Sequence, residues 1–424
     1  MPGSILEIDG VRIEREEFPD SADELARITK EAYDRGLSMV AVGGGTQLHL
    51  GNPPRSAQLA VHIGRLRGVV EYEPDNMTIS VRAGTPLEEL QGTLGAKDQF
   101  LPLDPPHPER ATIGGLVATN ASGPIRFRYG TVRDMLIGIK VVHPDGTQTR
   151  AGGKLVKNVT GYDMCKLYAG SLGTLGIFSE LTFKVQPKSE AIATVLIACS
   201  SLRTALEATQ AFLRADLMPD AMEAMNCLAF EALTGDHLIA PWVLLVRFGE
   251  TDEAVRWQVD RLREIASTVD VAVLNALDTQ ESDRLWQKAA SAREPCGKGV
   301  ELLLKCSVLY QSAADTERRM VEMGERLQAR TFLFCHAGNY IIYGRYEWHD
   351  EGCDAGDLTR EILELRRQCT SVGGHLVVEK ARPEVKQGMD VWGYEAPALA
   401  LMRRIKMQFD PRGLLNPGRF AGGI

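Results

Sequence analysis

Residues 111–123, ATIGGLVATNASG, combine three glycines with small and short polar side chains and include no charged residue. Glycine has no Cβ and adopts positive φ, so such a stretch suits a sharp turn or the close approach of a ligand to the backbone. By itself, the stretch fits a tight turn inside a buried sheet equally well. Two further glycine clusters, at residues 43–47 and 170–176, favour a ligand site formed by three loops.

The first cluster follows a predicted strand at residues 38–42 and contains Gly43, Gly44, Gly45, Thr46 and Gln47. A strand that ends in a glycine turn directs several backbone N–H groups one way, which forms a nest for anions such as phosphate. The spacing is not Gly-x-Gly-x-x-Gly, and no Lys-Ser/Thr pair follows. This disfavours a Rossmann dinucleotide site and a Walker A loop.

Length and composition exclude several classes of protein. The 424 residues allow two or three domains, and the net charge of −8 predicts no nucleic-acid partner. The cysteines form no Cys-x-x-Cys pair, which argues against a zinc ribbon or a ferredoxin-type cluster. The N-terminal residues lack the apolar core of a signal peptide, and the longest aliphatic run is half of a membrane span. We expect a cytoplasmic protein without a direct membrane span, whose association with the inner membrane would come through partners.

Periodicity predicts two kinds of region. An amphipathic helix at 21–36 has Ser21 as N-cap, Glu24 in a capping box and Gly36 as C-cap. Beyond Pro187 the chain alternates strands with helices in a βαβ-like rhythm, which predicts a second α+β domain. The predicted strands cover 191–199, 242–248, 301–309, 331–335 and 340–346, and the predicted helices cover 201–214, 250–267, 312–328 and 357–371. A last helix is predicted at 396–407.

Four motifs together carry a family resemblance: VGGGTQ, PLDPPHPERATIGGLVATNASG, GYDMCKLYAGSLGTLGI and FDPRGLLNPGRF. With these the chain resembles the FAD-linked oxidases that have a vanillyl-alcohol oxidase/PCMH-type flavin domain, most closely the glycolate oxidase FAD-binding subunits. The resemblance implies an α+β fold with a PCMH-type, two-subdomain FAD-binding domain at 1–187. An α+β cap domain with an antiparallel sheet, at 188–385, is inserted before a C-terminal segment, 386–424, that returns to the FAD domain. The flavin of the family lies between the FAD domain and the cap.

The resemblance also implies noncovalent FAD, because Thr46 occupies the position of a flavin-linking histidine and His49 lies further on. Backbone groups of the first glycine loop would hold the pyrophosphate. The implied cofactor-binding residues are Gly43, Gly44, Gly45, Thr46, Gln47, Pro105, Thr112, Ile113, Gly114, Gly115, Thr119, Asn120, Gly123, Gly130, Gly176, Ile177 and Phe178.

Two histidine-rich segments of the relatives that oxidise 2-hydroxy acids are altered in this chain. His-Ala-Gly-Asp-Gly-Asn-x-His corresponds to a segment from His336, which we interpret as shortened and lacking the acidic residue and second histidine. The histidine of Gly-Gly-x4-Glu-His-Gly is replaced by Lys380, beside Glu379 and near His375. A protonated lysine can hold a carboxylate but is a poor base unless burial lowers its pKa. His336, His375, Glu379 and Lys380 are the catalytic candidates, and the altered spacing predicts no metal.

The expected function is that of a FAD-binding subunit in a glycolate oxidase or other 2-hydroxy-acid dehydrogenase complex. Electrons would pass from a 2-hydroxy acid, bound here or by a paralogous flavoprotein subunit, to an iron–sulfur subunit or a quinone. One alternative is a self-sufficient, D-lactate-type FAD dehydrogenase with a non-standard base. Another is a non-catalytic assembly subunit.

Overall fold

The computed structural model describes residues 6–153, 161–237, 240–294, 300–348 and 353–424. The chain divides into two compact units. Unit 1 comprises Met1–Ser122, Gly130–Lys188 and Asp390–Ile424, and unit 2 comprises Gly123–Tyr129 and Ser189–Met389. The segment Gly123–Tyr129 therefore groups with unit 2, although the sequence places it inside the expected FAD domain.

The described strands are, in chain order, β1 Glu7–Ile8, β2 Val11–Arg12, β3 Arg15–Glu17, β4 Met39–Val42, β5 Leu59–His62, β6 Val69–Glu73, β7 Thr78–Arg82, β8 Gln99–Phe100, β9 Leu136–Val142, β10 Gln148–Gly152, β11 Ile177–Lys184, β12 Gln186–Pro187, β13 Ala191–Cys199, β14 Ala221–Asn226, β15 Trp242–Glu250, β16 Ala272–Leu277, β17 Val300–Ser307, β18 Arg330–His336, β19 Ile341–Trp348 and β20 His375–Lys380.

The described α-helices are, in chain order, α1 Ala22–Arg35, α2 Leu87–Gly95, α3 Ile113–Thr119, α4 Arg126–Tyr129, α5 Val132–Met135, α6 Met164–Tyr168, α7 Leu202–Arg214, α8 Cys227–Thr234, α9 Asp252–Ala266, α10 Thr279–Ser291, α11 Tyr310–Arg326, α12 Ala355–Ser371, α13 Pro383–Gln387 and α14 Ala396–Phe409. Among the described residues, no helix is long and apolar enough to cross a membrane.

Helix α1 forms where the sequence predicts it. The Ser21 side chain accepts a hydrogen bond from the Glu24 amide at 3.3 Å, and Gly36 ends the helix with a left-handed φ of 70°. Leu25 and Ile28 are buried on one face of the helix, as the apolar spacing predicts.

Unit 1 contains two principal sheets. A parallel sheet has the order β3-β5-β4, and an antiparallel sheet has the order β10-β9-β11-β7-β6. The C-terminal segment returns to the parallel sheet, since the Met39 amide donates to Leu414 O at 2.7 Å and the Asn416 amide donates to Met39 O at 2.8 Å. The tail therefore lies beside the strand that leads into the first glycine loop.

Part of residues 111–123 forms a helix rather than the tight turn that composition alone allowed. Helix α3 has Thr112 as its N-cap, whose Oγ1 accepts from the Gly115 amide at 3.3 Å. Asn120 ends the helix with a left-handed φ of 51°. A Cβ on Gly114 would lie 2.9 Å from Ala83, so this glycine allows the helix to pack tightly on the end of β7.

Unit 2 is built on an eight-stranded sheet with the order β16-β13-β15-β14-β18-β19-β17-β20. Every ladder in it is antiparallel, so the βαβ-like rhythm of the sequence does not produce parallel strands. Strands β14, β16 and β20, which the sequence did not predict, complete the sheet.

A buried charge network connects Gly123–Tyr129 to this sheet. Asp220 is fully buried and accepts hydrogen bonds from Arg128 Nη1 at 2.8 Å and from Arg247 Nη1 at 2.6 Å. Burial raises the pKa of Asp220 whereas the two arginines lower it. Because removing one member of such a network leaves an uncompensated buried charge, the network fixes this segment to unit 2.

Candidate functional site

A cleft in unit 1 is lined by the first glycine loop, helix α3 and the C-terminal tail. Its cavity volume is about 80 Å³, and it opens to solvent. The lining residues are Ala41, Gly43, Gly44, Gly45, Thr46, Gln47, Leu48, Ala111, Thr112, Gly115, Leu116, Ala118, Thr119, Leu172, Asn416 and Arg419.

The glycine loop can follow its path only without side chains. A Cβ on Gly43 would overlap Thr112 Oγ1, and a Cβ on Gly44 would overlap the carbonyl oxygen of Arg110. Gly45 has a φ of 74°, which disfavours other residues. Within the described chain, the amides of Gly44, Gly45 and Thr46 donate no hydrogen bond to a protein group. A loop with accessible amides and no bulk fits a dianionic pyrophosphate.

Arg419 places a buried cation in the cleft wall. The sequence did not predict this residue as part of the site. Its side chain is 5% exposed and donates from Nη2 to Leu48 O at 2.6 Å and to Leu50 O. Burial lowers the pKa of Arg419, but an arginine keeps its charge in proteins. Arg419 Nε is buried and has no partner among the described residues, so the cleft offers a charged donor to an anion.

Asn416 supplies a second polar group from the tail. It has a φ of 45° and donates from Nδ2 to Leu172 O at 2.5 Å, while its buried Oδ1 has no partner in the described part of the chain. Buried polar atoms are nearly always paired, so these two atoms call for a polar ligand or ordered water in the cleft. The glycine loop and the two unpaired atoms together fit the phosphate and ribityl groups of FAD.

The expected cofactor residues are thus divided by the structure. Those lining the cleft are Gly43, Gly44, Gly45, Thr46, Gln47, Thr112, Gly115 and Thr119. Those outside its lining are Pro105, Ile113, Gly114, Asn120, Gly123, Gly130, Gly176, Ile177 and Phe178. Among the latter, Gly176 serves packing, because a Cβ there would overlap Val141 on β9, and Gly123 belongs to unit 2. His49 also lies outside the cleft lining.

Unit 2 contains a second group of polar side chains, which we term the Tyr343 cluster: Glu223, Arg293, Lys305, His336, Tyr343 and Glu379. The strand register places its members together, since Glu223 pairs with His336 on β18 and Tyr343 on β19 pairs with Lys305 on β17. Residues paired across antiparallel strands share a face of the sheet. With Glu379 on β20, the cluster therefore extends across five neighbouring strands.

Tyr343 lies at the centre of this cluster and is 1% exposed. The ring centroid of His336 is 5.2 Å from that of Tyr343, and the Arg293 guanidinium carbon is 4.2 Å from the Tyr343 centroid. Lys305 Nζ is 5.7 Å from the same centroid and 3.5 Å from Glu379 Oε1. Cations over an aromatic face are attracted by its quadrupole, so the ring supports both positive groups.

His336 forms a buried dyad with Glu223. Its Nδ1 is 2.5 Å from Glu223 Oε2, and its Nε2 is buried without a partner among the described residues. Burial lowers the pKa of His336, and the positive charges of Arg293 and Arg126 lower it further. Glu223 acts in the opposite direction and raises it. Because Glu223 accepts only, it selects the neutral tautomer protonated at Nδ1, which leaves a lone pair on Nε2.

The segment after His336 is not shortened, which corrects our interpretation of the sequence. Tyr343 follows His336 by seven residues, the separation of the two histidines in His-Ala-Gly-Asp-Gly-Asn-x-His. The segment keeps its length as the β18–β19 hairpin, and a tyrosine occupies the second histidine position. The acidic residue is replaced by Asn339.

The other catalytic candidates are dispersed along β20. His375 pairs with Ser307, whose partner Ile341 pairs with His336. The two histidines are therefore three strand spacings apart, about 14 Å. A register shift makes Glu379 an extra residue that reaches Lys305, while Lys380 pairs with Leu303.

Comparison with known proteins identifies the class. The FAD binding domain family matches residues 16–152, and the family of FAD linked oxidases, C-terminal domain, matches residues 188–420. The chain therefore belongs to the FAD-linked oxidases; it is an oxidoreductase with FAD as its cofactor.

Two curated relatives and one solved structure illustrate this membership. The chain is 27% identical to glycolate oxidase subunit GlcD of Bacillus subtilis over 95% of its own length and 87% of that protein. It is 37% identical to glycolate oxidase subunit GlcE of Escherichia coli over 41% of its own length and 49% of that protein. The fold is similar to 4-ethylphenol oxidase from Gulosibacter chungangensis, with a TM-score of 0.72 and 17% identity, covering 95% of this chain and 88% of that one.

Proposed function

We propose that this chain is the FAD-binding subunit of a 2-hydroxy-acid dehydrogenase complex of the glycolate oxidase type. The observation that carries the proposal is the unit 1 cleft, whose bare loop and buried Arg419 fit FAD. Both curated relatives described above are glycolate oxidase subunits, which supports the substrate class and the assembly.

In this proposal, amides of Gly44, Gly45 and Thr46 hold the pyrophosphate, and Arg419 neutralises part of its charge. The attachment is noncovalent, since Thr46 and not a histidine follows the glycines. When bound, FAD supplies the acceptor for the hydride that leaves the carbon bearing the hydroxyl group. The electrons would then go to an iron–sulfur subunit or a quinone, and any contact with the membrane would be made by partners.

One observation favours the alternative of a self-sufficient dehydrogenase. The Tyr343 cluster contains a neutral histidine oriented by a carboxylate, with positively charged side chains nearby. This arrangement provides a proton acceptor and a carboxylate partner, the two groups that oxidation of a 2-hydroxy acid requires. The replacements at Tyr343 and Lys380 favour the subunit role, in which a paralogous flavoprotein performs most of the turnover.

Anaerobic flavin reduction separates the two functions. The purified holoprotein and the same chain isolated with its copurifying partners are mixed with glycolate, D-lactate and D-2-hydroxyglutarate, and the flavin absorbance is followed. We expect slow bleaching by the isolated chain and rapid bleaching with the partners. Rapid reduction of the isolated chain would establish the self-sufficient enzyme, and no reduction in either preparation would refute the proposed function.

A further inference from the structure

Together with the nearby Arg126 of α4, the Tyr343 cluster carries more positive than negative charge. Lys305, Arg293 and Arg126 contribute three cations that influence one another, whereas Glu223 and Glu379 contribute two carboxylates. Interaction with Tyr343 raises the pKa of Lys305, and Glu379 adds to this, against burial and the two arginines. Lys305 is therefore a protonated ammonium at neutral pH.

The solvent-facing end of the cluster lies at Lys305. The Lys305 side chain is 27% exposed and that of Glu379 is 23% exposed, whereas His336 and Glu223 are almost fully buried. Arg293 is also partly exposed, so an anion reaching the cluster from solvent would meet these two cations rather than the buried dyad. The unpaired Nε2 of His336 is a buried polar atom that a protein normally satisfies with a ligand or water.

The residues do not fit a divalent cation. His336 and His375 lie about 14 Å apart by strand spacing. Glu379, the third ligand that the sequence offers, instead faces Lys305, whose positive charge would repel a metal ion. In the described ranges, no three His, Cys, Asp or Glu side chains are grouped as metal ligands.

We propose that the Tyr343 cluster is a metal-independent binding site for a carboxylate, in which the Lys305 ammonium provides the cation beside Glu379. The inference rests on the proposed function in that the natural carboxylate would be that of a 2-hydroxy acid. Arg293 adds a second positive charge above the Tyr343 ring. Glu379 lowers the affinity for the carboxylate because it competes for Lys305. The neutral His336 lies on the other side of Tyr343 and presents Nε2.

The test measures binding of oxalate, which has carboxylates but no hydroxyl-bearing carbon to oxidise, to the FAD-loaded full chain by calorimetry. Metal content is measured in the same sample. We expect substoichiometric metal and an oxalate affinity that EDTA leaves unchanged. Lys305→Gln should weaken binding about 10- to 100-fold, the usual effect of losing a charge-assisted hydrogen bond.

Two further variants separate binding from structural support. Glu379→Gln removes the competing carboxylate and should bind oxalate at least as tightly as the wild type, whereas a purely structural ion pair would weaken both variants alike. Lys288→Gln, at an exposed lysine on α10, is the matched control and should bind normally. Stoichiometric metal with loss of binding in EDTA would overturn the proposal, as would no oxalate binding by the wild type or wild-type affinity in Lys305→Gln.

This outcome is independent of turnover. If no 2-hydroxy acid reduces the flavin even with partners, but oxalate still binds through Lys305, the proposed function fails and the carboxylate site stands. If reduction occurs while Lys305→Gln retains full oxalate affinity, the proposed function stands and the carboxylate site fails.

Discussion

The unit 1 cleft and the Tyr343 cluster of unit 2 use different parts of the polypeptide. The cleft is shaped by backbone: glycines whose side chains would overlap Thr112 and Arg110, with polar atoms from the tail. The cluster is made of side chains aligned across five strands by register. A backbone site tolerates few substitutions at its glycines, whereas a side-chain site can change charge while its sheet stays intact.

The largest effect should come from adding one methyl group to the glycine loop. Gly44→Ala places a Cβ against the Arg110 carbonyl, and overpacking of this kind displaces the backbone. We expect FAD content per chain, from absorbance after purification, to fall more than about tenfold. Gly92→Ala, on α2 where a Cβ meets nothing within 4 Å, is the control and should keep its flavin. Full flavin content in Gly44→Ala would show that the loop does not shape the site.

A smaller loss of FAD binding is expected when the buried cation of the cleft, Arg419, is replaced. Arg419→Met removes the guanidinium that faces the proposed pyrophosphate, and FAD affinity in a titration of apoprotein should fall about tenfold or more. Arg419→Lys keeps the positive charge, so its FAD affinity should lie between those of the wild type and Arg419→Met. The exposed Arg404→Met on α14 serves as the reference variant. Equal affinities in Arg419→Met and Arg404→Met would exclude Arg419 from cofactor binding.

The smallest effect concerns protonation in the cluster. Burial lowers the pKa of His336, so the unfolded chain takes up its proton near pH 6.5 while the folded chain resists it. The free energy of unfolding should therefore fall as the pH drops below about 6.5. His336→Gln should reduce this loss and change the difference in melting temperature between pH 7.5 and 5.5 by about 2 °C. The exposed His237→Gln should behave like the wild type, and an unchanged pH dependence in His336→Gln would contradict a neutral His336.

The sequence predicts the backbone-shaped cleft of unit 1 better than it predicts the side-chain cluster of unit 2. The glycine loop was recognisable because backbone geometry restricts residue type, and the Ser21-capped helix and strand β13 formed where predicted. Arg419 was missed because 371 residues separate it from the Leu48 carbonyl that it contacts. Only the position of Asn416 and Arg419 in the glycine- and proline-rich tail offered a signal.

The Tyr343 cluster is harder to predict from the sequence, because the local sequence does not determine which residues of neighbouring strands pair. Strand β14 reads Ala-Met-Glu-Ala-Met-Asn, and its alanine, methionine and glutamate favour helices. Pairing with two neighbouring strands outweighs that propensity and brings Glu223 to His336. Lys305 lies in an apolar run that predicts only a buried strand. The register shift that makes Glu379 an extra residue of β20 depends on how the strands pair and cannot be predicted from the local sequence.

Release of flavin on acid precipitation tests the central claim most directly. We expect about one FAD per chain, all of it recovered in the supernatant, because in the proposed site backbone amides and Arg419 would hold the cofactor without a covalent bond. A colourless protein that takes up no added FAD, or flavin that stays with the precipitated chain, would contradict it.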